Sequence, residues 1–128
     1  MNYYIDAFIT KYIKSHRKDR LKYEINSVKK KENFIDHFCH DTKKYVDERK
    51  IFFYGKPYEC FDILKSNNTD VFFVISYIYI DGIMMNLKEL ELYIEKEYMA
   101  IVAITKDLAV IKEEGDFKSN ILILKWKF

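Results

Sequence analysis

The residues best suited to chemistry lie together in Asp36-His37-Phe38-Cys39-His40-Asp41. On a helix His37 and His40, three apart, share a side, and Asp36 and His40, four apart, lie close. Two imidazoles with the Asp36 carboxylate or the Cys39 thiolate match the tetrahedral preference of zinc, with His16 or Cys60 as a remaining ligand. The spacing is unspecific: there is no second ligand pair at finger-like distance and no His-Glu-x-x-His. The same imidazoles, His16, His37 and His40, suit proton transfer on RNA, because the unperturbed pKa of histidine lies near working pH. Cys39 beside them has the composition of a thiol nucleophile, but a cysteine on an apolar stripe is more often inert packing. In the plainer reading Phe38 and Cys39 face a core, and the histidines and aspartates sit in water. Gly55, Gly82 and Gly115 are isolated turn glycines, so phosphate-cradling loops are excluded. No Gly-x-Ser-x-Gly elbow is present either. No cofactor is expected.

Charge supplies a second set of candidates. The 128 residues carry 22 Lys/Arg and 20 Asp/Glu, a formal +2, yet residues 1–50 stand at +5 and residues 51–128 at −3. The densest segment is Lys11 to Lys31, with nine basic residues and two acids. Lys11, Lys14, Arg17, Lys18 and Arg20 are its candidate contacts, facing nucleic acid, an acidic protein or simply water. Tyr12 and Tyr23 interleave with them, as stacking on a nucleic acid requires. The acidic counterpart is a segment holding Glu89, Glu91 and Glu95, suited to a basic partner.

These residues need elements to hold them. Ile5, Phe8, Ile9, Tyr12 and Ile13 recur at helical spacing and predict an amphipathic helix from Tyr3 to His16. Asp19 is the expected N-cap of a second helical stretch of about 25 residues, either one helix or two broken near Lys31 to Asn33. Ile51 to Tyr54 reads as a strand, and Pro57 opens a short helix from Tyr58 to Lys65. Ser66 to Asp70 is a turn, and Val71 to Ile80 is the strongest strand signal. Asp81-Gly82 predicts a tight turn into Ile83 to Met85. Asn86 and Glu89 form a capping box for a helix from Leu87 to Glu97. Met99 to Thr105, Leu108 to Lys112 and Ile121 to Phe128 read as strands. In the last, Leu122, Leu124, Trp126 and Phe128 share one face, while Lys125 and Lys127 point away as on a guarded edge strand. The expected fold is α+β. Two N-terminal amphipathic helices pack with two shorter helices on a largely antiparallel sheet of about five strands. It is one domain over residues 1–128, helical to residue 48 and sheet-rich from 49.

Hydrophobic residues make up 49% and aromatics 17%, enough for an ordinary core without disulfide staples. Cys39 and Cys60 are expected to be reduced. No secretory signal opens the sequence, and the longest apolar run, about ten residues, falls short of the roughly 20 that span a membrane. A cytoplasmic protein without membrane contact is therefore expected. Tyr54, Tyr58, Tyr77, Tyr79, Tyr93 and Tyr98 fall where a sheet rim could show them to a partner. A coding bias toward Lys, Ile, Asn, Tyr and Phe, as in a low-GC bacterium, explains them equally. With no motif that forces a reaction, elimination favours binding over catalysis. The leading expectation is a protein-interaction module, of the kind in which immunity and antitoxin proteins occlude a toxin. The alternative is a nucleic-acid-binding protein, or a small metal- or His-dependent ribonuclease, using the basic N-terminal helices. Oligomeric state is not legible.

Overall fold

Runs such as Ile101-Val102-Ala103-Ile104 and Ile121-Leu122-Ile123-Leu124 offer no polar face, so strands built from them need cover on both sides. The computed structural model describes residues 3–27, 30–66, 71–76, 81–96, 100–113 and 120–126, without the side chains of Lys31, Glu32, Asp36, His37 and His40. Its strands are β1 (Ile51–Gly55), β2 (Val71–Ser76), β3 (Met84–Asn86), β4 (Ile101–Ile104), β5 (Leu108–Lys112) and β6 (Ile121–Lys125). They form one antiparallel sheet in the order β1-β6-β5-β4-β2-β3. Helices α1 (Tyr3–Tyr12), α2 (Lys18–Asn26), α3 (Lys31–His40) and α4 (Thr42–Tyr45) precede the sheet in sequence. Helices α5 (Pro57–Ser66) and α6 (Leu87–Lys96) are inserted between strands.

Period-two alternation deals the strand residues to two cores. Ile75, Val102, Ile104, Ala109, Ile111, Leu122 and Leu124 pack with α1, α2 and α3. Val74, Ile101, Ala103, Val110, Ile121 and Ile123 pack with α5 and α6 on the other face. The expected α+β class is what forms, with the sheet sandwiched between two helical layers. Phe8, Phe34 and Phe38 are fully buried in the first layer, the Phe38 ring lying 5.4 Å from that of Phe34 and 5.6 Å from that of Phe8. Among the described residues no helix is long and apolar enough to cross a membrane.

Several boundaries differ from expectation, each for a local reason. Helix α1 stops at Tyr12, because Ile13 leaves it to bridge Val46. Asp19 does not cap α2: the N-cap is Arg17, and Asp19 lies in the first turn, where its charge suits the helix dipole. The long helical stretch breaks earlier than expected, after Ser27 turns extended, and again at Asp41. Within the described residues β2 runs to Ser76, whose amide donates to Asp81 Oδ1 at 3.0 Å; the rest of the expected strand, residues 77–80, lies outside them. Gly82 takes φ +79 and donates to the Val74 carbonyl at 2.7 Å, a backbone that only glycine adopts without strain.

The expectation that the last strand is an edge is corrected. β1 pairs with β6 along its length, so β6 is interior and the edges are β1 and β3. The register of β1 shifts between Ile51 and Phe53, which leaves Phe52 out on the surface. This irregularity guards the β1 edge as lysines on β6 would have done. The predicted capping box forms as written: Glu89 N–H donates to Asn86 Oδ1 at 2.9 Å, and Asn86 N–H to Glu89 Oε1 at 3.2 Å.

Cys39 and Cys60 form no disulfide and are both buried, Cys39 in the first core and Cys60 in the second. The sheet between them rules out a bridge, and it also removes Cys60 as a fourth ligand for residues of α3. Burial pushes the Cys60 thiol from 9.0 up to about 12. The unfolded chain therefore ionises first, so the stability this thiol contributes is complete below pH 9 and is lost as pH rises through about 12. Between pH 9 and 11 the wild type should lose stability faster than Cys60→Ala, by up to about 1.4 kcal/mol per pH unit, measured by urea unfolding. Equal pH slopes for the two proteins would contradict this.

Candidate functional site

The end of a helix leaves main-chain carbonyls without partners inside it, and cations gather there. The C-terminus of α1 does this with distant parts of the chain. Lys18 Nζ donates to the Thr10 carbonyl at 2.8 Å, and the Asp47 amide donates to the Tyr12 carbonyl at 2.7 Å. The Lys14 amide donates to the Tyr45 carbonyl at 2.8 Å beside the Ile13–Val46 bridge. These bonds clamp the 3₁₀ turn Ser15–Arg17 against the 3₁₀ turn Glu48–Lys50. Between them opens a cleft of about 390 Å³. Lys11, Lys14, Lys18, Arg49, Lys50, His16, Asp47 and Trp126 line it, with Thr10, Ile13 and Ser15.

Its electrostatics are one-sided, with five permanent cations against one carboxylate. Asp47 is already taken: Oδ1 accepts from the Arg49 amide at 3.1 Å and from Nε at 3.0 Å, and Oδ2 accepts from an Arg49 terminal nitrogen at 2.9 Å. The Arg49 side chain beside it holds the Asp47 carboxyl below its usual range. Lys50 Nζ donates to the Trp126 carbonyl at 3.0 Å and stands 3.9 Å over the indole. Lys11 Nζ donates to the Lys106 carbonyl at 3.0 Å and lies 6.0 Å from the same ring. Each of these lysines retains further N–H groups for a ligand.

The same pattern continues beyond the cleft. Lys43 stands 4.4 Å over Tyr54, Lys125 4.8 Å over Phe52, and Arg17 5.4 Å over Tyr45. Phe52 and Tyr54, the exposed rings of β1, thus each carry a cation, an arrangement that favours charge presentation on an ordered surface.

Just behind the cleft, Tyr12 is buried in the core, and its hydroxyl has no hydrogen-bond partner among the described residues. The Trp126 amide approaches it, but that amide donates to the Asp107 carbonyl at 3.3 Å. Burial, with Asp107 nearby, raises the Tyr12 pKa well above its ordinary value. A buried unpaired hydroxyl costs about 1–3 kcal/mol. Tyr12→Phe should accordingly raise stability by roughly 1 kcal/mol. A lower urea midpoint for the variant would refute this.

The sequence candidates divide on this geometry. Lys11, Lys14, Lys18 and His16 meet at the cleft. Arg17 is half-buried against Tyr45, and Arg20 is held 2.9 Å from the buried Glu24, so both serve the helical layer. On α6, Glu89 is spent in the capping box and Glu91 lies 3.7 Å from Lys65, while Glu95 is exposed. Two of the three acids on this helix thus already have partners within the fold. Asp36, His37 and His40 have side chains outside the described residues, so their expected metal and acid–base roles are carried by no geometry. Among the described residues no cluster of three or more His, Cys, Asp or Glu side chains forms. Tyr54 and Tyr58 are exposed and Tyr93 half-buried, whereas Tyr77, Tyr79 and Tyr98 lie outside the described residues. Asp47, Arg49 and Lys50 went unread in the sequence, and Trp126 was read only as a strand residue sharing a face with Leu122 and Leu124. Their signals were an acid two residues before an arginine ahead of a strand, and a lone tryptophan between lysines.

Comparison with protein families, curated proteins and solved structures finds no match for this chain.

Proposed function

We propose that this chain is a non-catalytic interaction module that binds a partner protein through the cationic cleft. It acts in the manner of cytoplasmic bacterial immunity and antitoxin proteins, which silence a toxin by covering it. One observation supports the reading: five cations from two separate segments converge on one cleft, where Lys11, Lys18 and Lys50 are held by main-chain carbonyls and Arg49 by Asp47. Such preorganisation lowers the entropy lost when a partner docks. The cleft's one carboxylate is committed to Arg49, so it serves positioning rather than proton transfer.

The test is capture of the tagged chain's partner from its own source, with and without nuclease, by the wild type and by a cleft variant. A stoichiometric protein that survives nuclease and is lost by the cleft variant supports the proposal. A protein retained equally by both removes the cleft from it. A second reading, binding of single-stranded nucleic acid, draws on the exposure of Phe52, Tyr54 and Trp126 near the cationic cleft. It requires that the captured material vanish with nuclease and that affinity fall steeply with salt.

A further inference from the structure

The cleft already binds one carboxylate, and that carboxylate is its own. Asp47 engages the Arg49 guanidinium through both oxygens, the fork geometry in which arginine takes a partner's acid. The pair lies at the surface, with the Arg49 side chain 87% exposed and Asp47 21%. An ion pair so placed is weak and easily exchanged. Around it stand Lys14, Lys18 and Lys50, cations that a single internal acid does not neutralise. We propose that the cleft's ligand is an acidic peptide segment of the partner protein, and that one of its carboxylates replaces Asp47 on Arg49. The proposal rests on the protein-binding reading above and adds the partner's chemistry to it.

The rings beside the cleft argue for carboxylates over nucleobases. A base stacking on Trp126 over the face that Lys50 covers must displace that lysine, and with it the bond to the Trp126 carbonyl. Lys43 over Tyr54 and Lys125 over Phe52 present the same obstacle. A glutamate or aspartate pairs with those ammonium groups where they already are. Asp47 thus acts as an internal competitor: it holds Arg49 in place and occupies the position the partner takes.

This makes an unusual forecast, because removing a cleft residue strengthens binding. The probe is a fluorescein-labelled decaglutamate peptide, titrated by anisotropy at low ionic strength against the full chain. Asp47→Asn keeps an oxygen for the Arg49 amide but loses the charge, and should bind decaglutamate about threefold more tightly. Arg49→Gln should bind more weakly, and adding Asp47→Asn to it should restore little, since the competitor acts through Arg49. Asp47→Ser, which also caps a turn, repeats the measurement if Asp47→Asn does not fold. Unchanged or weaker binding by a folded Asp47→Asn or Asp47→Ser overturns the exchange. Binding of a labelled 16-nucleotide single strand but not of decaglutamate overturns the acidic-peptide ligand in favour of nucleic acid. If decaglutamate fails while a nuclease-resistant partner is still captured through the cleft, this inference falls and the interaction module stands.

Discussion

Lys14→Glu combined with Lys18→Glu is expected to weaken partner binding about 100-fold while leaving the fold intact. Reversing an exposed charge removes one favourable pairing and installs one repulsion, each worth about 0.7 kcal/mol. The two terms give roughly 1.4 kcal/mol per site, a factor of about ten, and two sites multiply. The fold should tolerate both changes. Lys18→Glu gives up the bond to the Thr10 carbonyl, but Lys18 is the first residue of α2, where an acid suits the helix dipole better than a lysine, and Lys14 takes no side-chain hydrogen bond among the described contacts. Its amide, which holds the Tyr45 carbonyl, is main chain and survives the substitution. The measurement is affinity for the captured partner at two salt concentrations, with unfolding midpoints as the control. Wild-type affinity should fall with salt and the variant's should hardly respond. Unchanged affinity in a folded double variant would exclude the cleft as the docking site.

The contrast with Glu91→Lys and Glu95→Lys decides between the chain's two charged faces. Both carboxylates lie on α6, across the sheet from the N-terminal helical layer. Their reversal leaves the cleft untouched, so equal losses from either double variant would point to global charge and not to a site.

How much of this was legible beforehand depends on the distance over which each decision is made. Capping of α6 rests on Asn86 and Glu89, three residues apart, and the sequence reading agrees with the atoms. Strands β4, β5 and β6 were legible from runs of four or five apolar residues. Their place in the sheet was not, because β1 reaches β6 from some 70 residues away and takes the edge that Lys125 and Lys127 seemed to guard. The cleft shows the same division. Lys11, Lys14, His16 and Lys18 stand close together in one charge-dense segment. Asp47, Arg49 and Lys50 join them only because Ile13 pairs with Val46, a contact written in no local pattern. Trp126 arrives from the far end of the chain through the pairing of β6. Burial on both faces of the sheet explains why the apolar runs lacked the alternation that marks a half-exposed antiparallel strand.

Phe38→Ala is expected to carry the largest cost to stability, about 3–5 kcal/mol, as for other fully buried phenylalanines. Its ring packs on Phe34 at 5.4 Å, meets Phe8 edge-on at 5.6 Å and lies 6.1 Å from Tyr45, so one truncation opens a void between α1, α3 and α4. Domains of this size hold only about 5–15 kcal/mol in total. The variant should therefore be marginal at 37 °C, whereas Phe52→Ala, on the exposed bulge of β1, should change the urea midpoint little. The same void reaches the site. Tyr45 carries the Arg17 guanidinium at 5.4 Å and supplies the carbonyl that anchors Lys14, so loosening Phe38 frees one wall of the cleft. Phe38→Leu, which keeps most of the volume, separates the two effects. It should cost less than about 1.5 kcal/mol and leave decaglutamate affinity near the wild-type value. If Phe38→Leu folds and yet binds as poorly as the charge-reversed cleft, the helical layer does more than hold the cleft in shape. If Phe38→Ala unfolds at the wild-type urea concentration, the aromatic cluster does not carry this layer.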